Sequence, residues 1–297
     1  MGARPISNEP LAVSASPPLN PLPQAGGEVR RALAEAAASF ASISETSRLD
    51  AELLMAHALG VTREMLLLKH LDDPTPKGFA PLATRRLNHE PIAYITGTRA
   101  FWTIDLHVGP GVLVPRADSE TLIEAAIEHF GDRAPATILD LGTGPGTLLL
   151  AALSQWPEAC GLGIDAFEKA LDYAEINAID LGMEERARFK LGNWATDLHG
   201  QFDLILSNPP YIGTSEALPL EVRNHEPDIA LFAGPDGLDD YRVIAPQLTR
   251  LIAPGGAAIL EIGATQADAV TALLGEQGLS VALRYDLGGN PRALIVT

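Results

Sequence analysis

From Thr137 to the end, short apolar runs alternate with helical patterns, and that alternation admits few architectures. The runs Thr137 to Leu141, Gly161 to Ile164, Ala187 to Leu191, Leu204 to Leu206 and Ala257 to Ile262 read as buried strands. Helical patterns separate them or follow them, including one that starts at Thr147, Leu238 to Leu251, and Thr265 to Leu274. Such a series predicts an α/β fold built on a doubly wound sheet. Two final runs, near Leu279 to Tyr285 and Arg292 to Val296, predict a hairpin that gives the sheet an antiparallel edge strand.

Open sheets of this type bind ligands at the carboxyl ends of their strands, so the residues just past each strand carry the information. The run Leu204 to Leu206 leads directly into Asn208-Pro209-Pro210-Tyr211. Two consecutive prolines remove two backbone donors and fix two φ angles, so the chain must make a rigid polar corner there. That corner offers an amide side chain, free carbonyls and an aromatic ring, the parts needed to hold a planar amide or amine. A nitrogen whose lone pair is delocalised is a poor nucleophile and has to be positioned. Asn208 and the Pro209 carbonyl can each accept one N–H of an NH2 group, and Tyr211 can cover its flat face.

Strand Thr137 to Leu141 runs into Asp140-Leu141-Gly142-Thr143-Gly144-Pro145-Gly146. Its glycines permit a tight turn and a close backbone approach to a ligand at the start of the next helix. Asp165 ends the following strand about 20 residues on, where a carboxylate can accept both hydroxyls of a ribose. Gly192-Asn193-Trp194 places an amide and an indole where an adenine would lie, although Trp194 also reads as a half-buried loop aromatic. His225-Glu226-Pro227 and Gly234-Pro235-Asp236-Gly237 read as loops. Arg116, Asp118, Ser119 and Glu120 open a helix to Phe130, either near a ligand or simply as caps.

The first half is organised differently. Residues 1–27 carry many prolines among Ser, Asn and Gly and are expected to be a disordered leader. Residues 28–89 read as a small helical bundle for binding, with Ser47 capping one helix that Gly60 closes. Thr62 caps the next, and a further helix runs from about Leu82 to His89. Residues 90–113 read as a hairpin hinge turning at Gly109-Pro110-Gly111, which leaves 114–297 as the α/β domain.

Hydrophobic content of 46% and charged content of 20% fit a globular chain. No apolar run approaches the roughly 20 residues needed to span a bilayer, and the start lacks a secretory pattern, so a cytoplasmic protein without membrane contact is expected. The single Cys160 excludes an internal disulfide and is expected to be a small core residue. A net charge of −17 argues against a partner bound through its phosphates and favours a basic protein or a small molecule.

A nucleotide-type site with an amide-orienting corner points to S-adenosylmethionine-dependent methyl transfer. The chain also resembles the HemK/PrmC protein-(glutamine) methyltransferases, which modify class-1 peptide chain release factors. The resemblance runs from about Glu28 to the C-terminus. It rests on Glu90-Pro91-Ile92-Ala93-Tyr94-Ile95-Thr96-Gly97, Val114-Pro115-Arg116-Ala117-Asp118-Ser119-Glu120, the glycine loop, Asn208-Pro209-Pro210-Tyr211, Glu226-Pro227, Gly237-Leu238-Asp239 and Glu261-Ile262-Gly263. It implies a helical domain that grips the release factor, a hairpin hinge and a Rossmann-like methyltransferase domain, with S-adenosylmethionine as cofactor and no metal.

By the same resemblance, cofactor contacts fall on Gly142, Thr143, Gly144, Pro145, Gly146, Asp165, Trp194 and Asn208. The glutamine of a Gly-Gly-Gln motif falls on Asn208, Pro209, Pro210 and Tyr211, with Asn208, Pro209 and Tyr211 in the catalytic role. The chain departs from the family pattern at Pro145, which replaces a small polar residue, and at Asn193, which stands where Asp is common. An amide in place of a carboxylate costs an adenine contact on the order of 1 kcal/mol.

The corner suits the exocyclic NH2 of a nucleic-acid base as well as a glutamine amide. Acidity and the hinge motif weigh against the base, and no stable nucleic-acid binding is expected. A third reading, a binding module that keeps its cofactor site as a relic, conflicts with the intact loop, Asp165 and corner.

Overall fold

The computed structural model describes residues 27–297. The expected leader, apart from Gly27, lies outside the described residues. Helices α1 (Glu28–Phe40), α2 (Ser47–Leu59), α3 (Arg63–Lys69), α4 (Phe79–Leu87) and α5 (Ile92–Thr96) come first. In α1 the buried residues Val29, Leu33, Ala36 and Phe40 recur at helical spacing and pack with Ala51, Leu54 and Met55 of α2. Gly60 ends α2 in the left-handed region, and the Thr62 side chain accepts from Met65 N at 3.2 Å to cap α3.

Three details differ from the sequence reading. Ser47 is already the first helical residue, and Thr46 holds the cap position with its hydroxyl donating to Asp50. Helix α4 starts at Phe79, ahead of Pro81, because a proline in the first turn lacks only an N–H that would have no helical partner. The hairpin of β1 (Thr98–Phe101) and β2 (Ile104–His107) turns at Trp102-Thr103 and not at Gly109-Pro110-Gly111. Trp102 takes φ +54° there, and its N–H donates to Glu120 Oε1 at 2.9 Å.

A 3-10 turn, Ala117–Ser119, precedes α6 (Glu120–Phe130), and the doubly wound part follows: β3 (Thr137–Leu141), α7 (Thr147–Gln155), β4 (Cys160–Asp165), α8 (Glu168–Asp180), β5 (Ala187–Leu191), β6 (Phe202–Ser207), α9 (Leu220–His225), α10 (Asp239–Leu251), β7 (Ile252–Glu261), α11 (Ala267–Gly275), β8 (Val281–Tyr285) and β9 (Pro291–Val296). The seven strands lie in the order β5-β4-β3-β6-β7-β9-β8. The pairs among β3 to β7 are parallel and those of β9 are antiparallel.

Alternate residues feed opposite faces. Ile138, Leu204 and Leu206 pack with α6, α7 and the hairpin, whereas Leu139, Leu141 and Ile205 pack with α10 and α11. The antiparallel strand is β9, one place in from the edge. Its Ala293, Leu294 and Val296 are fully buried and belong between two neighbours, while the edge strand β8 carries exposed Leu283 and Tyr285. His225 closes the short helix α9 and does not lie in a loop.

Cys160 is exposed and is not a core residue. It opens β4 opposite the exposed Thr137, and the helix-facing space begins at Gly161, where any Cβ would fall 2.3 Å from Leu149 Cδ1. Among the described residues no helix is long and apolar enough to cross a membrane.

The helical unit meets the sheet unit through a buried cation. Arg86 is 4% exposed, donates from Nε to Asp50 Oδ2 at 2.8 Å, and from Nη1 to Glu221 Oε2 at 2.7 Å and the Glu90 carbonyl at 3.2 Å. Removing one partner of such a cluster leaves an uncompensated buried charge on Asp50. We expect Arg86→Met to lower stability by about 3 kcal/mol, measured by urea unfolding, with Asp50→Asn in the same chain recovering part of the loss.

Candidate active site

The carboxyl ends of β3, β4, β5 and β6 open into one cavity of about 410 Å³. Its position is the switch point of the sheet, because the chain leaves β3 toward β4 on one side and reaches β6 on the other. The segments 111–116, 142–148, 164–167, 192–194 and 227–240 supply its walls, together with Ser119, Asp140, Asn208 and Pro210.

After β3 the backbone turns sharply, and Gly142 and Gly144 adopt φ +72° and +56°. The N–H groups of Gly142 and Thr143 both donate to the Ile164 carbonyl, at 2.9 and 3.0 Å, which ties the loop to β4. A side chain at Gly142 would fall 3.2 Å from the Trp194 indole, so glycine there lets the ring lie against the loop. Pro145 has no N–H to offer, but its carbonyl accepts from Asn177 Nδ2 at 2.8 Å. The same fully buried Asn177 accepts from His107 N at 2.6 Å and donates to His107 O at 3.1 Å, so one side chain fastens the glycine loop to the hairpin.

A buried carboxylate, Asp140, and a partly buried one, Asp165, face the cavity. Asp140, 1% exposed, accepts from Thr143 Oγ1 at 2.7 Å and Leu149 N at 3.2 Å, and its Oδ1 has no hydrogen-bond partner among the described residues. Burial pushes its carboxyl up to about 7 against the pull of those donors. Asp165 accepts from Gly144 N at 2.8 Å and Phe167 N at 3.0 Å, and burial again raises its pKa. Each of its oxygens keeps a lone pair for a ligand hydroxyl. Trp194 takes φ +51° and lines the cavity beside Asp240, whose pKa burial also raises.

Asn208 stands at the end of β6 and lines the cavity, with its Nδ2 donating to Ser119 Oγ at 3.3 Å. Pro210 lines it too. Gly146, Pro209 and Tyr211 do not. Gly146 is already committed to the start of α7, and the partly buried Tyr211 packs against the core, its hydroxyl donating to Glu261 Oε1 at 3.4 Å and its carbonyl accepting from Gln266 Nε2 at 2.9 Å. Of the remaining residues expected at the site, Gly142, Thr143, Gly144, Pro145, Asp165, Trp194 and Asn208 all line the cavity.

Residues without an assigned role in the sequence complete the walls. Arg116 donates from one nitrogen to both oxygens of the buried Glu226, at 2.6 and 2.8 Å. Burial outweighs that cation and raises the Glu226 pKa. Asp140 carried a local signal, an acid inside an apolar strand. Glu226 was singled out only through the Glu226-Pro227 motif of the resemblance, and its pairing with Arg116, 110 residues away, had no local signal.

The PrmC N-terminal domain model matches residues 31–97, and a methyltransferase domain model matches residues 133–276. A protein from Rhodospirillum rubrum named release factor glutamine methyltransferase is 44% identical over 260 residues, which span 84% of this chain and 79% of that protein. The chain belongs to the release factor glutamine methyltransferase family. Another relative of that name, from Bradyrhizobium diazoefficiens, is 42% identical over 84% of this chain and 88% of its own length. A solved methyltransferase from Pyrococcus furiosus, 20% identical with a TM-score of 0.51, covers 73% of this chain and 98% of its own and shows the same fold. The chain is therefore a methyltransferase, and the cavity just described is the candidate place for that chemistry.

The raised pKa of Asp140 fixes a sign. A carboxyl that titrates near 7 folded and near 3.8 unfolded opposes folding once ionised, so its cost is full above pH 7, declines as pH falls through 7, and is gone below about 4. Asp140→Asn is therefore expected to stabilise the protein on the order of 2 kcal/mol at pH 8, with the advantage over wild type shrinking toward pH 5 in thermal melts.

Proposed function

We propose that this chain transfers a methyl group from S-adenosylmethionine to the side-chain amide nitrogen of the glutamine in the Gly-Gly-Gln motif of class-1 peptide chain release factors. The observation that carries the reading is Asn208. In a chain of this family, it presents an amide at the wall of a cavity lined by Asp140, Asp165 and Asp240, with its NH2 already engaged behind it.

S-adenosylmethionine, when bound, supplies a methyl group on a positively charged sulfur. The residues present suit it. Asp140 Oδ1 is a buried acceptor without a partner among the described residues, as an ammonium group needs. Asp165 has lone pairs for ribose hydroxyls, and Trp194 and Phe167 offer flat apolar faces beside Asn193. The carboxylates give the cavity a negative potential that favours a cation.

The chain's own part in the reaction is positioning. Asn208 Oδ1 and the Pro209 carbonyl each accept one N–H of the substrate amide, which aims its nitrogen and favours the positive charge that develops on it. Pro210 supports the corner from the cavity side. Tyr211, held by Glu261 and Gln266, keeps the corner fixed from behind. No general base is required, since the amide proton leaves to solvent after the methyl has transferred. In this reading residues 28–89 grip the release factor and 90–113 link them to the methyltransferase domain. The protein works in the cytoplasm with neither membrane nor stable nucleic-acid contact.

The test is mass spectrometry of a purified class-1 release factor after incubation with the enzyme and S-adenosylmethionine, beside a nucleic-acid sample with labelled methyl. One methyl group confined to the Gly-Gly-Gln peptide is expected; label entering nucleic acid while the peptide stays unmodified would sink the proposal. Asn208→Ala should lower kcat by about a hundredfold or more while cofactor affinity changes far less.

A further inference from the structure

One face of α8 lies along the chain that leaves the hairpin. Lys169, Tyr173, Asn177 and Asp180 recur at helical spacing, and each meets the segment 107–111. Lys169 lies over Gly111, where a Cβ would fall 2.9 Å from its Cδ, and Tyr173 lies over Gly109, where a Cβ would fall 2.3 Å from its hydroxyl oxygen. Asp180 pairs with the His107 ring at 2.6 Å, and Asn177 takes the His107 backbone. The segment runs straight into the cavity wall, which begins with Gly111 and Val112.

Asn177 also reaches the glycine loop. Its Oδ1 accepts from His107 N at 2.6 Å, and its Nδ2 donates to His107 O at 3.1 Å and to Pro145 O at 2.8 Å. A backbone N–H only donates and a backbone carbonyl only accepts, so this fully buried amide has one orientation and no spare hydrogen. The loop needs such an anchor. Glycines at 142, 144 and 146 leave its backbone many conformations to lose, and Pro145 has no N–H with which to fix itself. The Ile164 carbonyl holds the start of the loop, and Asn177 holds its middle.

We propose that Asn177 is a positioning residue that presets the glycine loop for the cofactor and couples that loop to the hairpin, so that cofactor binding tightens both. The proposal rests on the S-adenosylmethionine part of the function given above. Asn177 does not line the cavity and acts through Pro145, which does. A loop held in its bound shape loses less freedom when the ligand arrives, and coupling through a shared contact is reciprocal.

The experiment uses the full-length protein with S-adenosylmethionine as the ligand. Calorimetry gives its affinity, hydrogen exchange read by mass spectrometry compares free and bound protein, and thermal melting is run on the same samples. Asn177→Ala is expected to weaken cofactor binding about tenfold, while kcat at saturating cofactor, with a class-1 release factor as acceptor, stays within about twofold. In the wild type the cofactor should slow exchange severalfold in a peptide covering residues 104–108, and Asn177→Ala should abolish that slowing. The wild-type exchange reads the link even where Asn177→Ala folds poorly. Unchanged exchange at 104–108 in a wild type that binds the cofactor would overturn the inference and leave the proposed function standing. So would wild-type affinity in Asn177→Ala, including where its melting temperature falls, since Asn177 would then serve stability alone. A wild type that does not bind S-adenosylmethionine would overturn both.

Discussion

The pairing of β3 with β6 is the constraint on which the site depends. Leu141 lies opposite Ser207, and the Ser207 hydroxyl, fully buried, donates to the Leu141 carbonyl at 2.7 Å. One residue beyond that pair the chain turns into the glycine loop on one strand and the Asn-Pro-Pro-Tyr corner on the other. Because side chains alternate, a slip of one residue would move Leu204 and Leu206 out of one core and Ile205 out of the other. The register that fills both faces therefore also fixes the distance between the loop and the corner. Core packing and site geometry are one problem solved once.

The electrostatics run against stability in the same place. Asp140, Asp165, Glu226 and Glu261 all have pKa values raised by burial, Asp140 and Glu261 to about 7. Hydrogen bonds from Thr143, Leu149, Gly144 and Phe167, and the cations Arg116 and Arg292, each offset part of that cost but not all of it. Carboxylates elsewhere show the opposite balance. Glu90, paired with Arg85, and Asp286, which accepts from the Asn290 backbone and from Arg292, titrate below their ordinary range. Asp140, Asp165 and Asp240, all with pKa values raised by burial, line one cavity, and that concentration agrees with a site built to hold a cation.

Much of this was legible in the sequence, for local reasons. The five parallel strands, the glycine turn, Asp165 and the corner follow from apolar runs and from glycine and proline, whose backbone rules act on neighbours in the chain. What escaped was set by neighbours in space. The hairpin turns at Trp102 because Glu120 receives its N–H, which outweighs the glycines further on. Cys160 looked apolar enough to bury, yet it falls at the strand's outer rim. Tyr211 belongs to the corner in sequence, but its ring finds better cover in the core than at the cavity. Asn177, inside an ordinary helical pattern, gave no sign that it joins the hairpin to the loop.

Those long-range contacts also explain how the two halves of the chain make one site. Arg86 of the helical unit reaches Glu221 at the start of α9, and His225 at its end meets the Asn88 carbonyl at 3.2 Å. The next residue, Glu226, holds Arg116 at the cavity wall. On the other side, Asn177 binds the hairpin that follows the helices to the loop that forms the floor. The sheet alone supplies the loop, the carboxylates and the corner. The outer wall, with Arg116 and the 227–234 segment, follows directly on α9, the short helix that Arg86 and Asn88 of the helical unit hold at its two ends.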